Sequence, residues 1–123
     1  MNTFLWVLQG ILAAFFIMPG AGKISGSRES HIADGHIKPD GNLVPVRVLG
    51  LLELLGCIGI IVPWLTGIAP ILTPATAVGY SLIMIVAIIN HTIKKEYKML
   101  PMLTTVLIMT SLVAYYRFAS INR

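Results

Sequence analysis

The sequence predicts an all-α fold, an integral membrane four-helix antiparallel bundle, and three observations predict it. The chain of 123 residues is 56% hydrophobic and only 11% charged, with mean hydropathy +0.84, more apolar side chain than a soluble domain of this size can cover. Its apolar residues fall into four runs near the ~20 residues that a spanning helix needs. Prolines, glycines and the charged residues separate those runs. The expected spans are about 3–22, 48–65, 70–90 and 99–117, with a polar loop at about 23–47, and together they fill one domain, 1–123.

The first run, Thr3 to Ala21, contains no charge, and Trp6 near its start suits an aromatic anchor at headgroup level. No basic region precedes it and Pro19-Gly20-Ala21-Gly22-Lys23 is a poor cleavage site, so it reads as a span rather than a signal peptide. Gly20 and Gly22 remove side-chain bulk and invite close helix packing, and Pro19 can kink the last turn.

Residues 23–47 form the one extended polar stretch, punctuated by Gly26, Gly35, Pro39, Gly41 and Pro45, with a short helix expected between Ser27 and Ala33 behind a Ser27 cap. His31, Asp34 and His36 are ligand-type side chains at close spacing. They lack a fourth ligand and any zinc spacing, so no metal is assigned.

The second run, from about Val48 to Leu65, carries Glu53, a carboxylate inside an otherwise apolar helix. Such a charge costs roughly 2.5–3.5 kcal/mol at a bilayer centre, so it normally meets a partner or a cavity. Gly50, Gly56 and Gly59 mark faces where another helix can approach. Pro63 and Trp64 close the span, and the uncharged link Thr66 to Pro70 is short enough to make spans two and three antiparallel neighbours.

Span three ends in Asn90-His91-Thr92 and a tract of Lys94, Lys95, Glu96 and Lys98. Span four opens on Pro101, which fits a first helical turn. Its Thr104, Thr105, Thr110 and Ser111 are tolerated because hydroxyls bond to nearby carbonyls, and Arg117 reads as a terminal anchor.

Orientation follows from cation counts. The first and third loops hold seven Lys and Arg (Lys23, Arg28, Lys38, Arg47, Lys94, Lys95, Lys98), against Arg117 and Arg123 elsewhere. The positive-inside rule then makes loops 23–47 and 90–98 cytoplasmic and both termini external, in a multi-pass protein of the plasma or cytoplasmic membrane. Dispersed cations argue against nucleic acid, and the lipid bilayer is the expected partner. Cys57, the lone cysteine, excludes an intrachain disulfide and a Cys-based zinc or iron–sulfur site.

The turn-over of the chain brings Lys23, Glu53, Asn90 and His91 to one surface, with Glu53 expected only about 8 Å below its helix end. These four form the candidate polar site. The equally weighted alternative for Glu53 is a purely structural ion pair between helices, and an interfacial histidine such as His91 is more often solvated than chemical.

Pro19-Gly20-Ala21-Gly22-Lys23-Ile24-Ser25-Gly26, then Val48 to Gly56 with Pro63, then a histidine ending the third helix before a basic and acidic tract, resemble in order and spacing the DoxX-like proteins. The resemblance covers the whole chain and implies a compact four-helix membrane bundle, with Lys23, Glu53 and His91 as positions matching the family pattern. One departure is that many relatives have basic residues before the first helix, whereas Met1-Asn2-Thr3 has none, which sets the family's usual orientation against the charge-derived one.

The family takes its name from a subunit of a thiosulfate:quinone oxidoreductase. The resemblance therefore implies an accessory subunit of a quinone-linked redox complex, rather than a stand-alone enzyme, with quinone as the candidate cofactor, its headgroup expected near Glu53 and His91 and its tail between helices. With three histidines and one cysteine, no haem or iron–sulfur ligand set is seen, so electrons would come from a redox partner. Two other classes compete: a non-enzymatic interaction or assembly protein that docks membrane helices, and a small proton- or cation-coupled transporter that encloses a path as a homo-oligomer.

Overall fold

The computed structural model describes residues 2–33 and 37–121, and all regular structure among them is helical. The elements are α1 (Asn2–Ser25), α2 (Arg28–Ala33), α3 (Val44–Thr66), α4 (Leu72–Ile93), a 3-10 turn (Tyr97–Met99) and α5 (Leu100–Ile121). The four long helices are each apolar and long enough to cross a membrane. Large apolar side chains such as Leu51, Leu55, Ile58, Leu82 and Ile108 point outward, as lipid contact requires.

The helices exceed the expected spans, and two of the extensions change the picture. α1 continues through Lys23 to Ser25 rather than stopping at about 22. α3 begins at Val44 rather than Val48, because Pro45 sits in its first turn, where the missing N–H has no intrahelical partner. The polar loop is correspondingly shorter than 23–47. Within it α2 forms behind Ser27, whose Oγ accepts the Ser30 N–H at 3.1 Å, and Arg28 donates to the carbonyls of Pro39 (3.0 Å) and Gly41 (2.7 Å). His31 of α2 is buried, whereas Asp34 and His36 lie outside the described residues.

α1 packs most extensively on α3 and α4 on α5, with lesser contacts joining α3 to α4 and α1 to α5. The core runs along the bundle axis through Leu5, Leu12, Phe16, Ile60, Ala77, Tyr80 and Val113. Phe16 and Tyr80 stack at its centre with ring centroids 3.7 Å apart. The α3–α4 turn closes on Gly67, whose φ of 73° is left-handed and whose N–H bonds the Pro63 carbonyl at 3.1 Å.

Pro63 also sets a contact between helices. Lacking an N–H, it leaves the Gly59 carbonyl without its helical donor, and Thr73 of α4 supplies one, its hydroxyl donating to Gly59 O at 3.1 Å. Ser81 and Thr110 join α4 to α5 at 2.7 Å. Hydroxyls in this bundle thus bridge helices where hydrophobic burial against lipid offers little drive.

Candidate functional site

Lys23 and Glu53 meet where α1 crosses α3. The crossing is close because Gly20 and Gly50 face one another: a Cβ on Gly50 would lie 2.7 Å from Lys23 Cβ and 2.8 Å from the Gly20 carbonyl. With the backbones this near, Lys23 Nζ reaches Glu53 Oε1 at 2.6 Å. The carboxylate side chain is 2% exposed and the lysine 16%, so the pair is shielded from water on the Glu53 side and opens toward the surface on the Lys23 side. Arg47 from the first turn of α3 caps the end of α1 by donating to the Lys23 carbonyl (3.2 Å) and the Ile24 carbonyl.

Glu53 lies deeper than the sequence suggests. It stands nine residues after Val44, about 14 Å along α3 at 1.5 Å per residue, instead of the expected 8 Å. Tyr80 of α4 donates its phenol to the Glu53 backbone carbonyl at 2.8 Å, and Gly56 makes this possible, since a Cβ there would lie 2.6 Å from the Tyr80 hydroxyl. Glu53 therefore sits at a node where α1, α3 and α4 are tied together.

Asn90 and His91 occupy the last turn of α4, at the same end of the bundle. Asn90 is exposed, and the side chain of His91 stands against Glu96, with Nδ1 3.3 Å from Oε2. No hydrogen bond or ion pair among the described residues links either residue to Glu53. Of the five glycines expected at packing faces, Gly20, Gly50, Gly56 and Gly59 stand against neighbouring helices, while Gly22 has nothing within 4 Å of where its Cβ would be.

Beside this node a groove of about 370 Å³ runs between α3 and α4 on the lipid-facing surface, lined by Leu49, Leu52, Leu55, Gly56, Thr76, Gly79, Tyr80 and Ile83. Small residues open it: Gly79 is exposed and nothing lies within 4 Å of its missing Cβ. Cys57 lies on the inner side of α3, its thiol donating to the Ala13 carbonyl of α1 at 3.3 Å and its sulfur 3.6 Å from the Tyr80 hydroxyl.

At the opposite end, a second polar assembly stands where sequence reasoning placed only an anchor. Arg117 of α5 is 2% exposed. Its Nε donates to Gln9 Oε1 at 2.8 Å and its Nη1 to Asn2 Oδ1 at 2.9 Å, while Gln9 in turn donates Nε2 to the Ile60 carbonyl at 2.6 Å. Trp64 and Trp6 flank the guanidinium, 4.4 and 5.6 Å from its carbon. This chain of contacts ties α5 to α1 and α1 to α3. The available signal was Gln9, a buried-type polar residue in the middle of an apolar run.

Among the described residues no group of three or more His, Cys, Asp or Glu is arranged to hold a metal ion. No curated protein and no solved structure matches the chain. A model of the DoxX-like family matches residues 7–114, a region that includes Lys23, Glu53, Asn90, His91 and the α3–α4 groove but stops short of Arg117. With most of its length matched and four helices fit to span a bilayer, the chain belongs to the DoxX-like family and is a multi-pass membrane protein.

Proposed function

We infer that the protein is an accessory membrane subunit of a quinone-linked redox complex, with the Lys23–Glu53 node holding the bundle rigid beside a quinone-binding groove. The α3–α4 groove carries this reading. With a volume of about 370 Å³ it is an open groove that faces lipid, where a quinone resides, and its walls are apolar, the Thr76 hydroxyl being bonded to the Leu72 carbonyl and the Tyr80 hydroxyl to the Glu53 carbonyl. Glu53 stands behind this wall and is joined to it by the hydrogen bond from Tyr80 to its backbone carbonyl. The sequence holds no ligand set for haem or an iron–sulfur cluster, so electrons reach a bound quinone from a partner protein.

Gly79→Leu tests the reading. The substitution fills the groove from an open position and replaces a helical glycine, so the fold is kept and gains up to about 1 kcal/mol. Lipid extraction of the purified protein is expected to recover quinone well above its ratio in bulk membrane for the wild type and at the bulk ratio for Gly79→Leu. Bulk-level quinone in both proteins contradicts the proposal.

The small residues Gly56, Thr76 and Gly79 favour a second reading, in which the groove receives a helix of a client or partner membrane protein. Crosslinking from Gly79→Cys separates the two, giving a defined protein adduct only if a helix docks there. The orientation with loops 23–47 and 90–98 cytoplasmic belongs to the same proposal. Labelling of Lys38→Cys from outside intact cells would reverse it.

A further inference from the structure

We propose that the surface end formed by Asn2, Trp6, Trp64 and Arg117 binds an oxyanion, a phosphate carried by an anionic lipid headgroup or free in solution, which completes the hydrogen bonding of Arg117. This site lies at the other end of the bundle from the Lys23–Glu53 node and owes nothing to the quinone reading.

The argument starts from an incomplete arginine. Nε and Nη1 are satisfied by the neutral amide oxygens of Gln9 and Asn2, and Nη2 is buried with no hydrogen-bond partner among the described residues. No carboxylate forms an ion pair with Arg117 among the described residues; Glu53, for one, is taken by Lys23. A guanidinium withdrawn from water without a counter-charge is unfavourable, and so is a buried donor without an acceptor. The two tryptophan rings spread part of the charge across its faces but offer no acceptor to its edge.

The position selects the missing group. Arg117 lies four residues before the end of α5, Trp64 two before the end of α3, and Trp6 four after the start of α1, so all three stand at one surface, at the depth where aromatic belts meet headgroups. The N-terminal end of α1 lies at the same surface, where the helix dipole favours negative charge. Asn2 is exposed and occupies Nη1 through a single hydrogen bond. When its carboxamide swings away, Nη1 and Nη2 present the planar two-donor edge that matches two oxygens of a phosphate. Trp6 and Trp64 hold that edge in place.

The test uses the full chain in nanodiscs of the neutral, phosphate-free lipid digalactosyldiacylglycerol alone, of that lipid with phosphatidylglycerol, and of that lipid with added inorganic phosphate against chloride at equal ionic strength. Thermal unfolding and native mass spectrometry of retained lipid are read for the wild type, Arg117→Gln and Asn2→Asp. Asn2→Asp supplies the missing charge from within, at an exposed position that the fold tolerates.

The wild type is expected to gain about 4 °C or more in anionic discs and to retain phosphatidylglycerol roughly tenfold above its bulk share, one charge-assisted hydrogen bond's worth. Asn2→Asp is expected to be stabilised in neutral discs and to lose both responses. Stabilisation by inorganic phosphate without lipid retention assigns the site to a dissolved oxyanion. Equal stability of the wild type under all three conditions, together with no gain from Asn2→Asp in neutral discs, overturns the proposal even if Arg117→Gln fails to fold.

Discussion

The two ends of the bundle each hold a cation, a partly buried Lys23 and a buried Arg117, and they treat it differently. At the α1–α3 crossing, Lys23 finds Glu53 at 2.6 Å and the charge is cancelled within the chain. At the far end, Arg117 finds two amides and two tryptophan rings, and the charge is hydrogen-bonded and stacked without being cancelled. A membrane offers a buried charge no water, so the first end is complete as it stands and the second calls for something from outside. The first therefore works as a clasp, the second as a receptor. Between them Tyr80 and Gly56 join α4 to the clasp, and Gln9 passes a hydrogen bond from the receptor end to the carbonyl of Ile60 on α3.

The largest effect should come from breaking the clasp. Lys23→Met leaves a buried carboxylate alone and is expected to cost about 3–5 kcal/mol, read by thermal unfolding in detergent. The double variant Lys23→Met with Glu53→Leu should recover most of that loss, because two apolar side chains can replace a buried ion pair. A Lys23→Met protein as stable as the wild type would show that Glu53 has another partner.

Gly50→Val should follow, near the upper end of the ~1–3 kcal/mol range for overpacking, because its Cβ meets Lys23 Cβ and the Gly20 backbone at once and the helices must part. Gln9→Leu probes the receptor end instead. It removes the acceptor of Arg117 Nε and the donor to Ile60 O, for an expected loss of about 1–3 kcal/mol. An anionic lipid should offset part of that loss, whereas it should do nothing for Lys23→Met. If the same lipid rescues both variants equally, the distinction between the ends fails.

The smallest effect sharpens the comparison through glycine. Gly22→Ala, two residues from the crossing but facing open space, should be neutral or stabilise by up to about 1 kcal/mol, the sign opposite to Gly50→Val. Destabilisation by Gly22→Ala, measured in the same unfolding assay, would mean that α1 packs through a face other than Gly20.

Legibility in the sequence followed range. The four spans were legible because each is a local run of apolar composition, and the junction of Lys23 with Glu53 followed from chain reversal between consecutive helices. Helix starts were less so: Pro45 and Arg47 read as loop punctuation, although proline is at ease in a first helical turn and Arg47 there caps the neighbouring helix. This moved Glu53 deeper than expected. Asn90 and His91 shared an end of the bundle with the pair, but a common end does not fix a common face, and His91 turned to the nearby Glu96.

The Arg117 assembly was the least legible part. Its key hydrogen bond spans 108 residues and depends on which faces of α1 and α5 meet, information that a near-uniformly apolar helix does not carry in its periodicity. Isolated polar residues, Gln9 in α1 and Arg117 in α5, were the trace of it. In a bundle of this kind the rare polar side chain is a better guide to helix faces than the apolar pattern.

The most direct measurement is the shift in unfolding temperature between neutral and phosphatidylglycerol-containing nanodiscs, taken for the wild type, Asn2→Asp and Glu53→Gln. Charge is incomplete at the Arg117 end and complete at the Lys23 end, so the shift should be present in the wild type, vanish in Asn2→Asp and persist in Glu53→Gln. A shift that survives Asn2→Asp, or that disappears with Glu53→Gln, would contradict that division of the molecule.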